Sequence, residues 1–155
     1  MKALPTTGER FDVLFSGDPA VDFDESDWSA YIQTADAEHA KLTGDPHRYV
    51  FRPLTKRELA WVLAEEGSQS NVAVRGYAVV SVSLVEVSGP EMNVSESELR
   101  RARSRRGGVV TLPDECPILD REPLASAIVE IGNTAFYRNF RVGVRPQAGN
   151  AVSPA

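Results

Sequence analysis

The stretch VAVRGYAVVSVSLVEV, residues 72–87, decides the class of fold because it carries two hydrophobic periodicities at once. Apolar residues recur through it at helical spacing, namely Ala73, Tyr77, Val80, Leu84 and Val87. Its second half also alternates, with Val80, Val82 and Leu84 at every other position, and is rich in the β-branched residues that favour strands. We therefore predict a helix over 70–79 that leads directly into a strand ending at Val87.

Two capping boxes predict where helices begin on either side of this stretch. In a capping box a Ser or Thr side chain and a Glu or Gln three residues later each bond the other's backbone N–H. Thr55 with Glu58 opens a predicted helix to about residue 66. Ser95 with Glu98 opens a short arginine-rich helix, which we expect the glycine pair at 107–108 to terminate.

The remaining elements follow from shorter signals. Apolar residues at helical spacing predict helices over 24–42 and from 124 to about 140. Short runs of large apolar residues predict strands over 10–15 and 47–54, and 109–117 is expected to be an extended connector.

The length of 155 residues suits one domain. We predict a single small α+β domain over 10–140, with about four helices, a small antiparallel or mixed sheet and an arginine-rich insert at 93–108. Residues 1–9 are predicted to be an extended arm, and residues 141–155 an extended or disordered tail.

Charge is distributed unevenly along the chain. Residues 1–46 carry ten acids and three bases, whereas residues 93–107 carry five arginines and two glutamates. The overall net charge of −5 argues against nucleic acid as the main partner. No run of 18 apolar residues is present, so we expect no membrane contact. An uneven layout of this kind favours association with other polypeptides.

Residues that carry chemistry do not form a recognisable catalytic or metal-binding pattern. Counted from Asp22, the positions that a calcium loop needs as Gly and Glu hold Asp27 and Gln33. His39 and His47 lack the spacing of a zinc site, and the single cysteine, Cys116, has no histidine near it in sequence. Glycine-rich phosphate loops are absent from the sequence. The prediction is a protein that is not an enzyme and has no cofactor or metal.

The candidate site is an interaction surface formed by a basic set and an acidic set of residues. Five guanidiniums within seven residues repel one another and need counter-charges: Arg100, Arg101, Arg103, Arg105 and Arg106. A solvated charged loop, an acidic protein surface and a nucleic-acid backbone all stay open as their environment. The acids that could pair with them in an adjacent copy are Asp22, Asp24, Glu25 and Asp27.

Three segments carry a resemblance to a known class of protein. They are Gly17-Asp-Pro-Ala20 before an acidic helix start, Phe51-Arg-Pro-Leu-Thr-x-x-Glu58, and Leu124-x-x-x-Ile-x-x-Ile-Gly132. Together they resemble small structural and morphogenesis proteins of tailed bacteriophages, of the head–tail, tail accessory or tail-assembly type. The resemblance covers 17–66 and 118–136.

This resemblance implies a non-enzymatic virion or morphogenesis protein that acts by protein–protein association in a multisubunit head–tail or tail assembly. Its partners would be other phage structural proteins and copies of itself, and its location the virion, assembled in the host cytoplasm. Two alternatives remain: a tail-assembly chaperone absent from the mature particle, and a regulatory module that contacts nucleic acid through the arginines.

Overall fold

The computed structural model describes residues 10–22, 31, 41–67 and 71–139. The predicted arm at 1–9, the predicted tail at 141–155 and most of the predicted helix at 24–42 lie outside the described residues.

The described residues form a small α+β domain, as predicted from the two periodicities. In chain order the elements are β1 (Phe11–Val13), β2 (Arg48–Phe51), α1 (Lys56–Glu66), α2 (Val72–Ser83), β3 (Leu84–Ser88), α3 (Glu96–Ala102), β4 (Ser104–Arg106), β5 (Val109–Thr111), a 3-10 helix (Pro117–Asp120) and α4 (Leu124–Asn139).

The segment that decides the fold is a helix that runs into a strand with no loop between them. The predicted order is confirmed, but the change occurs after Ser83, four residues later than the predicted end at Val79. The Ser83 hydroxyl donates to the carbonyl of Val79 at 2.8 Å, and the Leu84 N–H bonds the carbonyl of Val80. These bonds extend the helix through Val80 and Val82, although β-branched residues prefer strands.

Both predicted capping boxes are confirmed, and they fix the first residues of α1 and α3. The Thr55 hydroxyl accepts from the Glu58 N–H at 3.1 Å, and a Glu58 oxygen accepts from the Thr55 N–H at 2.9 Å. Ser95 and Glu98 make the same pair of bonds, at 3.1 and 3.2 Å. Each box satisfies two N–H groups that a helix start otherwise leaves unbonded.

The main sheet is antiparallel, with the order β1-β2-β3. Tyr49 and Phe51 point into the core while Arg48 and Val50 are only partly covered, which is the alternation of a strand with one face toward the core. The rings of Phe11 and Phe51, opposite each other on β1 and β2, stack with centroids 6.1 Å apart.

The core is closed by α2 and α4, which cross in direct backbone contact. A Cβ built on Gly132 would lie 2.1 Å from the carbonyl oxygen of Gly76, and one built on Gly76 would lie 2.6 Å from the carbonyl oxygen of Val129. The amide of Asn133 joins the helices beside the crossing by donating to the carbonyl of Val72 at 3.0 Å. The two glycines thus set the distance between the two helices.

The arginine-rich insert is not a helix up to the glycine pair, so that prediction is wrong. Helix α3 ends at Ala102, and β4 and β5 form a hairpin around Gly107 and Gly108. Both glycines have positive φ, +62° and +88°, as the two-residue turns of hairpins require. The expected connector at 109–117 therefore begins as a paired strand.

A second, smaller apolar cluster joins Leu14, Val21 and Tyr31. Tyr31 is helical and its hydroxyl accepts from the Leu14 N–H at 2.9 Å. Leu42, the last residue of the predicted helix at 24–42, instead pairs with Val21 in an isolated β-bridge.

Arg138 of α4 is buried beside this cluster. Its guanidinium lies 4.6 Å from the centre of the Tyr31 ring, and Nη1 donates to the carbonyl of Asp12 at 2.5 Å. Within the described residues Nε and Nη2 have no hydrogen-bond partner.

Candidate functional site

Four of the five predicted arginines lie on the surface. Arg100 and Arg101 occupy the last turn of α3, and Arg105 and Arg106 lie on β4. Arg100 bonds Glu96 at 3.2 Å, and Arg106 lies 3.9 Å from Glu65. No ion pair is formed by Arg101 or Arg105 within the described part of the chain. We call these four residues the arginine surface.

Arg103 has an internal role, so its predicted place in the interaction surface is corrected. Its Nε donates to the carbonyl of Ser81 at 2.8 Å, and its Nη2 donates to the carbonyls of Leu84 at 2.7 Å and Val80 at 3.3 Å. These carbonyls belong to the α2–β3 junction, where the end of a helix carries partial negative charge. Those of Val80 and Ser81 also accept from the N–H groups of Leu84 and Leu112. Arg103 is the cap of α2.

Arg52 reaches the same junction from β2 and brings its own counter-charge. It donates to the carbonyl of Val82 at 2.9 Å and forms a bidentate pair with Glu58, at 2.8 and 2.6 Å. Burial raises the pKa of Glu58, but the hydrogen bonds from Arg52 and from the Thr55 backbone outweigh it and hold that pKa below its ordinary value. Burial, together with the charge of Arg52, lowers the pKa of Arg103 to about 10.

A cavity of about 200 Å³ lies beside this junction, and arginine is its dominant lining residue. We call it the arginine cavity; its walls are Arg10, Arg52, Arg100, Arg103, Glu96, Val85 and Val110. Glu96 accepts from Arg10 through both oxygens, at 3.2 and 2.8 Å, and from Arg100 at 3.2 Å. The hydrogen bonds from Arg10, followed by the charges of Arg10 and Arg100, hold the pKa of Glu96 below its ordinary value.

Sequence reasoning found two of the four arginines of this cavity and missed Arg10 and Arg52. Neither lies in the arginine-rich insert, and each stands alone among residues of other types. The antiparallel pairing of β1 with β2 and of β2 with β3 brings their ends to α3. Arg10 and Arg52 could have been assigned to this cavity only if the pairing of the strands had been known.

A larger groove of about 420 Å³ opens between α1, α2 and the hairpin. Its apolar lining includes Trp61, Val74, Tyr77 and Leu112, and its charged lining includes Glu65, Arg106 and Asp114. The hairpin turn lies against Trp61, since a Cβ on Gly107 would be 3.4 Å from the indole nitrogen. The groove can hold a large apolar side chain next to the arginine surface.

Of the four acidic residues in the predicted interaction surface, the structure describes only Asp22. Asp22 is exposed and its N–H donates to the carbonyl of Lys41 at 2.7 Å. Asp24, Glu25 and Asp27 lie outside the described residues.

His47 and Asp18 form a buried pair that positions backbone. Asp18 accepts from the backbone N–H groups of His47 and Ala20, both at 2.9 Å. The His47 Nδ1 is 3.4 Å from Asp18, and its Nε2 accepts from the Glu91 N–H at 3.2 Å. Because both ring nitrogens are engaged, this pair resembles a structural clamp more than a catalytic dyad.

Comparison with known proteins gives no relative from which a function could be taken. Searches of protein-family models, of curated proteins and of solved structures found no match to this chain. Across the described residues, no group of three or more potential metal ligands is present. A helix long and apolar enough to cross a membrane is likewise absent from that part of the chain.

Proposed function

We propose that this protein is a non-enzymatic component of a multisubunit assembly and that it binds a neighbouring copy of itself through the arginine surface. The tailed-phage class, with a place in the virion and other phage structural proteins as further partners, rests on the sequence resemblance described above. The acidic residues Asp22, Asp24, Glu25 and Asp27 are the proposed counterpart on the neighbour.

The observation that carries the proposal is the unpaired state of Arg101 and Arg105. Both side chains are exposed, and neither has an ion pair within the described residues. Arg100 and Arg106, on the same two elements, add to the local positive charge. An acidic partner surface would relieve this repulsion, and complementary charges of this kind favour encounter and register.

The apolar groove supplies the second part of the proposed contact. Tyr77 is 44% exposed at its edge, and Arg106 lines it from the hairpin. A partner that covers the hairpin would also bury apolar area here. Charge contacts on a surface contribute little by themselves, so the burial of this groove would supply most of the affinity.

The test is the molar mass in solution at low and at high salt. Size-exclusion chromatography with light scattering should show an oligomer at low salt that dissociates as salt screens the charges. Tyr77→Ser should weaken association most, and the double variant Arg101→Gln/Arg105→Gln should weaken it at low salt and remove most of its salt dependence. The matched control is Lys56→Gln/Arg121→Gln, which removes two exposed charges elsewhere and should leave the oligomer intact.

Different outcomes would favour the alternatives. A strict monomer at high concentration and low salt would contradict self-association. Salt-sensitive retention on DNA, lost in the Arg101→Gln/Arg105→Gln variant, would point to the nucleic-acid module instead. Mass spectrometry of purified particles separates a virion component, which is present in them, from a chaperone, which is not.

A further inference from the structure

We propose that the arginine cavity binds a doubly charged tetrahedral oxyanion, supplied as free phosphate or as the phosphate group of a small phosphomonoester. Arg100 belongs to both the cavity and the arginine surface, but Arg101 and Arg105, which carry the proposed assembly function, lie outside the cavity, so the two proposals can be tested separately.

The charge of the cavity matches a dianion. Four guanidiniums line it, and two carboxylates bond them, Glu96 with Arg10 and Arg100, and Glu58 with Arg52. Two positive charges therefore remain without a carboxylate. Arg103 contributes most to this excess, because its hydrogen bonds go to backbone carbonyls.

Two of the four arginines have a terminal nitrogen that makes no hydrogen bond within the described residues. Both terminal nitrogens of Arg52 are engaged by Glu58 and backbone carbonyls, and both terminal nitrogens of Arg10 are engaged by Glu96. In contrast, Nη1 of Arg103 makes no hydrogen bond within the described residues, and Arg100 uses one nitrogen. Arg103 and Arg100 would thus donate to the anion, in the paired geometry that guanidinium offers to phosphate oxygens.

The dimensions of the cavity limit the ligand to a small group. A volume of about 200 Å³ is below the roughly 300–1,000 Å³ that is typical of sites for drug-sized ligands. A phosphate group with part of its hydration fits this space, whereas a whole nucleotide would have to extend outside. Val85 and Val110 form apolar walls, next to which charge pairs are stronger than in open water.

The carboxylate of Glu96 competes with the anion for the arginine donors of the cavity. It holds Arg10 and one nitrogen of Arg100, which are donors that the ligand could otherwise use. Replacing Glu96 by Gln keeps the size of the side chain, frees these donors and raises the excess positive charge. The variant should therefore bind the anion more tightly than the natural protein does, an outcome that a cavity without a ligand would not give.

The experiment is isothermal titration calorimetry of the full chain with sodium phosphate, sodium sulfate and methyl phosphate at constant ionic strength near pH 8. We expect saturable binding, about tenfold tighter in Glu96→Gln and about tenfold weaker in Arg100→Gln. Arg101→Gln is the matched control, because it removes an equal charge from the same helix outside the cavity and should leave affinity unchanged. Methyl phosphate that binds as well as phosphate identifies a phosphomonoester as the source, and much weaker binding identifies the free ion.

A pH series distinguishes a dianion site from general attraction of anions. The second pKa of a phosphomonoester is about 6, so methyl phosphate should lose affinity between pH 8 and pH 5, while sulfate keeps its charge and its affinity. No saturable binding of any of the three anions would overturn the proposal, as would equal weakening in Arg100→Gln and Arg101→Gln. Self-association of the natural protein and of the Arg101→Gln variant, measured on the same samples, reports separately on the proposed assembly function.

Discussion

The most direct test of how α2 and α4 pack is the substitution Gly132→Ala at their crossing. The added methyl group would lie 2.1 Å from the carbonyl oxygen of Gly76, whereas ordinary contacts of a Cβ begin near 3.4 Å. The obstacle is backbone on both sides, so no side chain can rotate away. The helices would have to separate by about 1 Å.

Two opposing effects set the magnitude. Alanine in a helix interior is favoured over glycine by about 1 kcal/mol. Overpacking of a filled interior costs about 1–3 kcal/mol or more, and the separation would also stretch the bond from Asn133 to Val72 across the crossing. We expect a net loss of about 2 kcal/mol in the free energy of unfolding, or roughly 4–8 °C in Tm.

Urea denaturation followed by circular dichroism would measure this loss. The matched control is Gly44→Ala, where the new Cβ would meet the Cβ of Ala20 at an ordinary 3.5 Å. That variant should be neutral or stabilised by up to about 1 kcal/mol through the unfolded state. The reasoning is refuted if Gly132→Ala proves as stable as Gly44→Ala.

Four further predictions concern charged and capping groups. Arg103→Met should cost about 2–3 kcal/mol of unfolding free energy in urea titrations, because the hydrogen bonds from a charged group to three carbonyls of the α2–β3 junction are lost, and a neutral result would contradict its role as a cap. Arg138→Met should change stability by less than about 1 kcal/mol, since two of the buried nitrogens have no partner within the described residues, and a loss of about 3 kcal/mol would show that the charge is needed. The pKa of Glu58 is lower in the folded protein than its ordinary 4.5, so the ionised carboxylate stabilises the fold fully above pH 4.5, and this contribution is lost as pH falls through the folded pKa. Glu58→Gln should therefore flatten the acid side of a plot of Tm against pH. Thr55→Ala should lower Tm by the equivalent of about 1 kcal/mol, with Thr55→Ser as the variant that keeps the cap.

Local signals in the sequence were sufficient for much of the fold. The capping boxes at Thr55 and Ser95 marked helix starts, and the spacing of apolar residues predicted α4. The order helix-then-strand in 72–87 was also correct. In each case the information lies within a few residues of the feature, so no distant contact was needed to obtain it.

What the sequence did not predict depends on distant contacts. The end of α2 falls at Ser83 because Arg52 and Arg103, far away along the chain, occupy its last carbonyls. The pair Gly107-Gly108 was interpreted as a helix stop, although two positive-φ residues serve equally well as a hairpin turn.

The positions of the five arginines were predicted only in part for the same reason. Nearness in sequence grouped five arginines, but the end of α3 at Ala102 turned one of them inward and left the others outside. The arginine cavity also needs Arg10 and Arg52, which only the sheet register brings to the same place.

Because α2 passes directly into β3, the fold depends on the number of residues in 72–88 as much as on their composition. A single residue inserted before the junction would turn the helix by about 100° and would present the opposite side of the strand to the interior. Without a loop to absorb the shift, both errors would occur together. Insertions and deletions should accordingly be tolerated far better at the Gly107-Gly108 turn, where the chain is exposed, than anywhere in this segment.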